Sequence, residues 1–259
     1  MDKKTTSRDG TSLAYRVTGQ GPTVILVSGA MSTGGTVAPL AHRLADRCTA
    51  VVYDRRGRGE SGDTAPYAVE REVEDLAALV DAVGGAVGLF GVSSGGALVL
   101  EAAASGLPVR QAAVYEVPFA DSLDGGAGKR AYTERLEEAL SEGRPGDAVE
   151  LFLRLTGLGE ETISSARQSP MWAGMESVAP SLAYDDAVLG DGLLPRERLA
   201  AVSVPVLSVA GGASPGWLRE AAEAIARTVP QGTYRTLEGQ THAVEPEVLA
   251  PVLADFFTG

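Results

Sequence analysis

The chain has 259 residues, 44% of them hydrophobic and 22% charged, and carries a formal net charge of −12. That length can bury a substantial core without metal or disulfide staples. The acidic balance argues against nucleic acid and anionic membrane surfaces, whose partners bind mainly through Lys and Arg. Cys48 is the single cysteine, so no disulfide framework exists within the chain. Its apolar-flanked position in Arg47–Val52 predicts a buried, inert thiol. No apolar run approaches the roughly 20 residues of a membrane helix, and Met1–Thr6 carries no apolar leader segment. A cytoplasmic protein is the default expectation.

In chain order, Thr5–Arg8 and Thr11–Val17 are β-prone, with Asp9-Gly10 as a hairpin turn signal. Thr23–Val27 is a continuous apolar run, expected of a strand covered on both faces. A helix follows over Thr36–Arg47, with Val37, Leu40, Ala41 and Leu44 on one face. A second buried strand, Ala50–Tyr53, leads into the polar glycine-rich loop Asp54–Gly62. Val69–Val83 reads as a helix whose acidic residues, Glu70 to Asp75, form a solvated face. A third strand is expected at Ala86–Phe90 and an Ala-rich helix at Ser94–Ser105. Further buried strands are expected at Val109–Tyr115, Val204–Ala210 and Thr233–Leu237, with helices at Trp217–Thr228 and Glu245–Phe257. This alternation predicts an α/β fold, a mostly parallel central sheet with helices on both faces.

Residues 119–201 break the rhythm. They contain helical stretches near Lys129–Glu142, Asp147–Leu155 and Glu160–Gln168 and no convincing strand, after a glycine-rich start at Asp121–Gly128 that reads as mobile. The expected organisation is a core of residues 1–118 and 202–259 with a helical cap insertion at 119–201. Inserted segments of this length are usually functional.

Gly91-Val92-Ser93-Ser94-Gly95 is a G-x-S-x-G motif between a buried strand and a helix, the context of a nucleophile elbow. Its glycines allow the tight turn, and the helix N-terminus supplies amides and a favourable dipole for an oxyanion. Ser93 is the candidate nucleophile. A serine nucleophile needs a base, and the chain has two histidines. His42 lies within the first helix and reads as a surface or core residue. His242 follows the last strand, where sheet loops face the ligand crevice, and is the candidate base. The oxyanion hole is expected from the amide of Ser94 and that of Ala30 or Met31. Gly57–Gly62 fits G-x-G-x-x-G formally, but no helix opens at its third glycine. No zinc-like cluster appears.

The chain resembles the α/β-hydrolase superfamily, specifically small actinobacterial-type hydrolases with a helical cap. Tyr53–Gly62 resembles the D-x-R-G-x-G-x-S loop, Gly91–Gly95 the elbow, and Gly239–His242 the histidine loop. The resemblance implies the α/β-hydrolase fold, a Ser-His-acid apparatus and no cofactor. Two positions depart from it. Ser28-Gly29 replaces the usual His-Gly, and Ser214 stands where the acid is expected. A serine there cannot stabilise an imidazolium as a carboxylate does. Glu116, at a strand end and in the chain order nucleophile, acid, base, is the preferred acid. Asp121, Asp185 and Asp186 are alternatives, as is a dyad without an acid.

The leading functional expectation is a cofactor-independent serine hydrolase acting on a small or medium ester, lactone or related acyl compound. The alternatives are a non-hydrolytic enzyme of the same fold, catalysing elimination, cyclisation or acyl transfer, and a ligand-binding protein with a degraded triad. Met31, Met171 and Trp172 are candidate substrate-lining residues. The expected partner is a small molecule, with no nucleic acid or membrane, and the chain is expected to be a monomer or homodimer.

Overall fold

The computed structural model describes residues 3–119 and 124–259. The strands are β1 (Lys3–Thr6), β2 (Ser12–Gly19), β3 (Thr23–Val27), β4 (Thr49–Tyr53), β5 (Val87–Val92), β6 (Val109–Tyr115), β7 (Val206–Gly211) and β8 (Gly232–Leu237). They form one sheet in the order β1-β2-β4-β3-β5-β6-β7-β8. The β1–β2 and β2–β4 pairs are antiparallel, and the pairs among β3 to β8 are parallel.

Period-two alternation splits the core in two. Ile25, Val27, Val51 and Leu89 face one apolar layer, and Val24, Leu26, Ala50 and Phe90 face the other. The first layer is closed by α2 (Val69–Val83), α3 (Ser94–Ala104) and α10 (Gly216–Thr228). The second is closed by α1 (Gly34–Leu44) and α11 (Pro246–Thr258). Val37, Leu40, Ala41 and Leu44 are the buried stripe of α1, as their spacing predicts, and Cys48 is fully buried and unpaired.

Two expectations are corrected. β8 is an edge strand with alternating exposure rather than a strand buried on both faces. The acidic stretch on α2 is solvated only in part: Glu70 is exposed, but Glu72 and Asp75 are 1% exposed and lie among Leu76, Leu79 and Val80.

Between β6 and β7 the described chain is helical. It comprises α4 (Ala127–Ser141), α5 (Pro145–Leu155), α6 (Glu160–Arg167), α7 (Trp172–Val178), a 3₁₀ turn (Ala179–Ser181), α8 (Leu182–Leu189) and α9 (Arg196–Ala200). The three helices expected from sequence correspond to α4, α5 and α6; the later ones are short and weakly periodic. Leu136, Val149, Leu151, Ile163, Trp172 and Leu182 build a separate apolar cluster, against which Ala30 and Met31 from the loop after β3 pack. The glycine-rich start of this insertion lies partly outside the described residues, and so does Asp121. No helix among the described residues is long and apolar enough to cross a membrane.

Candidate active site

The carboxyl ends of β3, β5 and β6 carry three non-glycine residues with positive φ among the described residues: Met31 (55°), Ser93 (56°) and Glu116 (46°). Such conformations are costly for residues with a Cβ and cluster where function demands a fixed geometry.

Ser93 sits between β5 and α3, with its amide donating to the Tyr115 carbonyl at 2.9 Å. Sterics explain the flanking glycines. A Cβ on Gly91 would stand 2.3 Å from the Gly95 carbonyl oxygen. One on Gly95 would stand 2.5 Å from the carbonyl oxygens of both Val27 and Ser28. The strand, the turn and the helix start therefore approach as only glycine permits, and Ser93 is thrust out at the apex. First-turn amides of a helix lack intrahelical acceptors. The amides of Ser94, Ala30 and Met31 have no acceptor among the described residues.

His242 lies in the loop after β8, its side chain 48% exposed. Nδ1 is 2.8 Å from Glu116 Oε2. Glu116 is fully buried, and its other oxygen accepts the Gly211 amide at 2.8 Å. Burial works to raise its carboxyl pKa. Hydrogen bonds from His242 and the Gly211 amide, the neighbouring Ser214 hydroxyl and the imidazole's charge outweigh that and hold it below its ordinary value. The buried Ser214, at the position where an acid was expected, lies near this carboxylate. The Tyr115 hydroxyl donates to the Thr241 carbonyl at 2.6 Å and fixes the histidine loop. Sequence reasoning missed this tyrosine, which carries no motif.

The structure brings Glu116 and His242 together, and places Ser93 at the end of the strand between β3 and β6. Among the described residues no hydrogen bond joins Ser93 to the imidazole. Such contacts are often long without substrate. His42 is exposed on α1, at the surface rather than in the core, the two positions its sequence left open.

The other acid candidates have different partners. Asp186 pairs with Lys129 at 2.7 Å and accepts from Thr133 at 2.9 Å. Asp185 pairs with Arg55 and Arg58. The two lining candidates of the insertion lie in different surroundings. Met171 is 74% exposed, and Trp172 is buried in the insertion's own cluster, donating from Nε1 to Glu176 at 2.9 Å. An apolar pair at this spacing served packing at one position and solvent at the other. Met31 is half-buried and packs between the site's loop and the insertion.

The loop after β4 holds what sequence reasoning missed most completely. Asp54 accepts the amides of Gly34 (2.7 Å) and Glu60 (2.9 Å), and Ser61 ties back to the Asp54 carbonyl (2.6 Å). The loop's aspartate and serine thus close it on itself. Arg55, Arg56 and Arg58 are all buried. Arg55 grips Glu72 with two bonds of 2.7 Å, and Arg56 grips Asp75 at 2.8 and 2.7 Å. The signal was available: Glu72 and Asp75 share the helical stripe of Leu76 and Leu79, so an inward-facing pair of acids needed buried cations.

Comparison with known proteins agrees with this architecture. The family model for the alpha/beta hydrolase family matches residues 24–252. An alpha/beta hydrolase from Sphaerobacter thermophilus DSM 20745 is 51% identical, and its crystal structure superposes with a TM-score of 0.90 over 99% of this chain and 100% of that one. A thermophilic esterase from Thermogutta terrifontis is 26% identical, with a TM-score of 0.73 over 99% of this chain and 96% of its own. The 3-oxoadipate enol-lactonase 1 of Acinetobacter baylyi is 26% identical over 223 residues, 81% of this chain and 79% of that protein. The α/β-hydrolase fold and the superfamily resemblance read from the sequence are both borne out.

Proposed function

The chain belongs to the alpha/beta hydrolase family, and from that premise we propose that it is a serine hydrolase of small or medium esters or lactones, with Ser93, His242 and Glu116 as its catalytic triad. The observation that carries this reading is the 2.8 Å contact between His242 Nδ1 and the buried Glu116 carboxylate, beside a serine in a strained elbow. Glu116 provides the negative charge that Ser214 cannot, which removes the main argument for a degraded triad.

In the proposed reaction, Ser93 Oγ attacks the substrate carbonyl while His242 Nε2 takes its proton. Glu116 keeps Nδ1–H directed away from the nucleophile and stabilises the imidazolium. The tetrahedral oxyanion is held by the amides of Ser94 and Ala30. The imidazolium then protonates the leaving alcohol oxygen. A water, deprotonated by His242, attacks the acyl-enzyme and releases the carboxylic acid and free Ser93. No step calls for a cofactor. The ester and lactone classes follow the names of the Thermogutta esterase and the Acinetobacter enol-lactonase. The helical insertion is proposed as the cap that shapes the acyl site.

The test is covalent labelling with a fluorophosphonate, mapped by peptide mass spectrometry. We expect one modified residue, Ser93, with labelling lost in Ser93→Ala and strongly slowed in His242→Ala. A folded protein that leaves Ser93 unmodified, yet binds small acyl compounds without turnover, would overturn the proposal.

A further inference from the structure

One carboxylate of the insertion reaches both sides of the proposed oxyanion hole. Asp185, on α8, is 3% exposed. Its Oδ1 accepts the Ser94 hydroxyl at 2.8 Å, and Ser94 is the residue immediately after the elbow serine. Both of its oxygens accept Arg58 Nη2 at 2.8 Å. Arg58 Nη1 in turn donates to the Gly29 carbonyl at 2.7 Å and the Ser32 carbonyl at 3.2 Å. Those two carbonyls bracket Ala30 and Met31, the second of which is held at positive φ. Asp185 Oδ1 also accepts Arg55 Nη1 at 2.7 Å, and that nitrogen lies 3.4 Å from the Ser28 carbonyl.

Charge balance assigns the roles. Glu72 neutralises Arg55 through its own two-bond contact, which leaves Asp185 as the carboxylate facing Arg58. Arg55 and Arg58 could be neutralised from any direction, but Asp185 does so while bonding to Ser94 directly and, through Arg58, to the loop that carries Ala30 and Met31. Helix α8 is itself fixed to the core. Tyr184 stacks on Tyr67 with ring centroids 3.9 Å apart and donates to Asp63 at 2.6 Å, and the Tyr67 hydroxyl donates to the Tyr184 carbonyl at 3.2 Å. The carboxylate is thus presented from a clamped helix, not from a free one.

We infer that Asp185 is a positioning residue that sets the distance between the two oxyanion-hole amides, through Ser94 on one side and Arg58 on the other. This rests on the serine-hydrolase reading given above. It makes the insertion part of the catalytic geometry as well as a cover over it. Asp185 touches no substrate; it acts by keeping the Ser94 and Ala30 amides where the oxyanion forms. Donors of this kind contribute chiefly in the transition state, and losing one costs on the order of 10²–10³ in kcat.

The experiment compares wild type, Asp185→Asn and Ser94→Ala in steady-state hydrolysis of p-nitrophenyl acetate and its thionoester analogue, with circular dichroism to confirm folding. A thionoester develops its charge on sulfur, which fits an oxyanion hole poorly, so the ester-to-thionoester rate ratio reads the hole itself. Asp185→Asn is expected to lower kcat for the ester about 100-fold with KM changed by less than about 3-fold, and to shrink the ester-to-thionoester ratio in parallel. Ser94→Ala, which leaves both ion pairs intact, is expected to move both quantities in the same direction by about 10-fold, and it carries the test if Asp185→Asn does not fold. A folded variant with unchanged kcat, or with equal losses on both substrates, overturns the inference while leaving the hydrolase reading in place. Wild-type protein that neither hydrolyses the ester nor labels at Ser93 overturns both.

Discussion

The loop after β4 and the outer helices of the insertion use the same pair of chemical groups in opposite surroundings. Arg55, Arg56 and Arg58 have side chains no more than 1% exposed, and their carboxylates are Glu72, Asp75, Asp9 and Asp185. Arg144, Arg154 and Arg167 of the insertion pair with Glu142, Asp147, Glu150 and Glu160, with guanidinium side chains 36–52% exposed. In water such pairs are screened and lose side-chain entropy when they form, so they fix little. Out of water, neither partner can leave without stranding a charge, so the pair dictates the position of whatever it is bonded to. The contrast teaches where this protein needs geometry. Arg55 and Arg58 bond to the segment from Ser28 to Ser32 beside the proposed active site, Arg56 ties the same loop to α2 and Asp9, and the exposed arginines join helices of the insertion at its surface.

The buried carboxylate at the centre of the site should give the largest effect. Glu116→Gln keeps the shape but removes the charge facing His242, and kcat for ester hydrolysis is expected to fall by about 10⁴. Steady-state assays on folded protein would check this, and a loss under tenfold would move the acid elsewhere. Next comes the structural half of the buried set. Asp75→Asn leaves Arg56 with an unpaired bidentate face, and urea denaturation is expected to show destabilisation of about 3–5 kcal/mol. A change below about 1 kcal/mol would mean that water reaches the pair and that the comparison fails.

Acid titration should show a smaller effect with a definite sign. Glu116, Asp185 and Asp9 are all held below their ordinary values, Asp9 at about 2, because arginine or histidine partners and hydrogen bonds outweigh burial. The folded state therefore binds fewer protons than the unfolded one in this range. Stability is fully present above the ordinary values of 4.5 for Glu and 3.8 for Asp, and is lost as pH falls through the lowered folded ones. Asp75 runs the other way, because burial pushes its carboxyl up despite Arg56, and it offsets part of the loss. Urea midpoints are expected to be flat from pH 7 to about 5 and to fall between about 4.5 and 2. In Glu116→Gln that acid slope is shallower. The smallest effect belongs to the exposed set. Arg154→Ala should move the thermal midpoint by no more than about 2 °C, and less still in high salt.

Much of this was legible beforehand, for reasons that vary by element. Val69–Val83 and Val109–Tyr115 were bounded to the residue, because a run covered on both faces or a clean helical stripe is a local property of the chain. The elbow was legible because a glycine on each side of a serine, after a buried strand, answers to one tight turn. His242 followed from scarcity, being one of two histidines and the one placed after a strand. Glu116 was the preferred of several candidates, on its strand-end position and chain order. It was separated from Asp185 and Asp186 by the partners that the fold brings to each.

The sequence by itself determined the strands, most of the helices, the elbow and the histidine loop, since each is specified by residues within a turn or two of one another. Only the tertiary structure decided which carboxylate meets the imidazole, 126 residues away in the chain, and that Glu72 and Asp75 of α2 point inward. It alone decided that Asp185 joins Arg55 across 130 residues of chain. These pairings depend on sheet register and on which groups lose their water together. A charged residue reads the same in sequence whether it ends in solvent or beneath a sheet; what distinguishes the two is the partner that burial forces upon it.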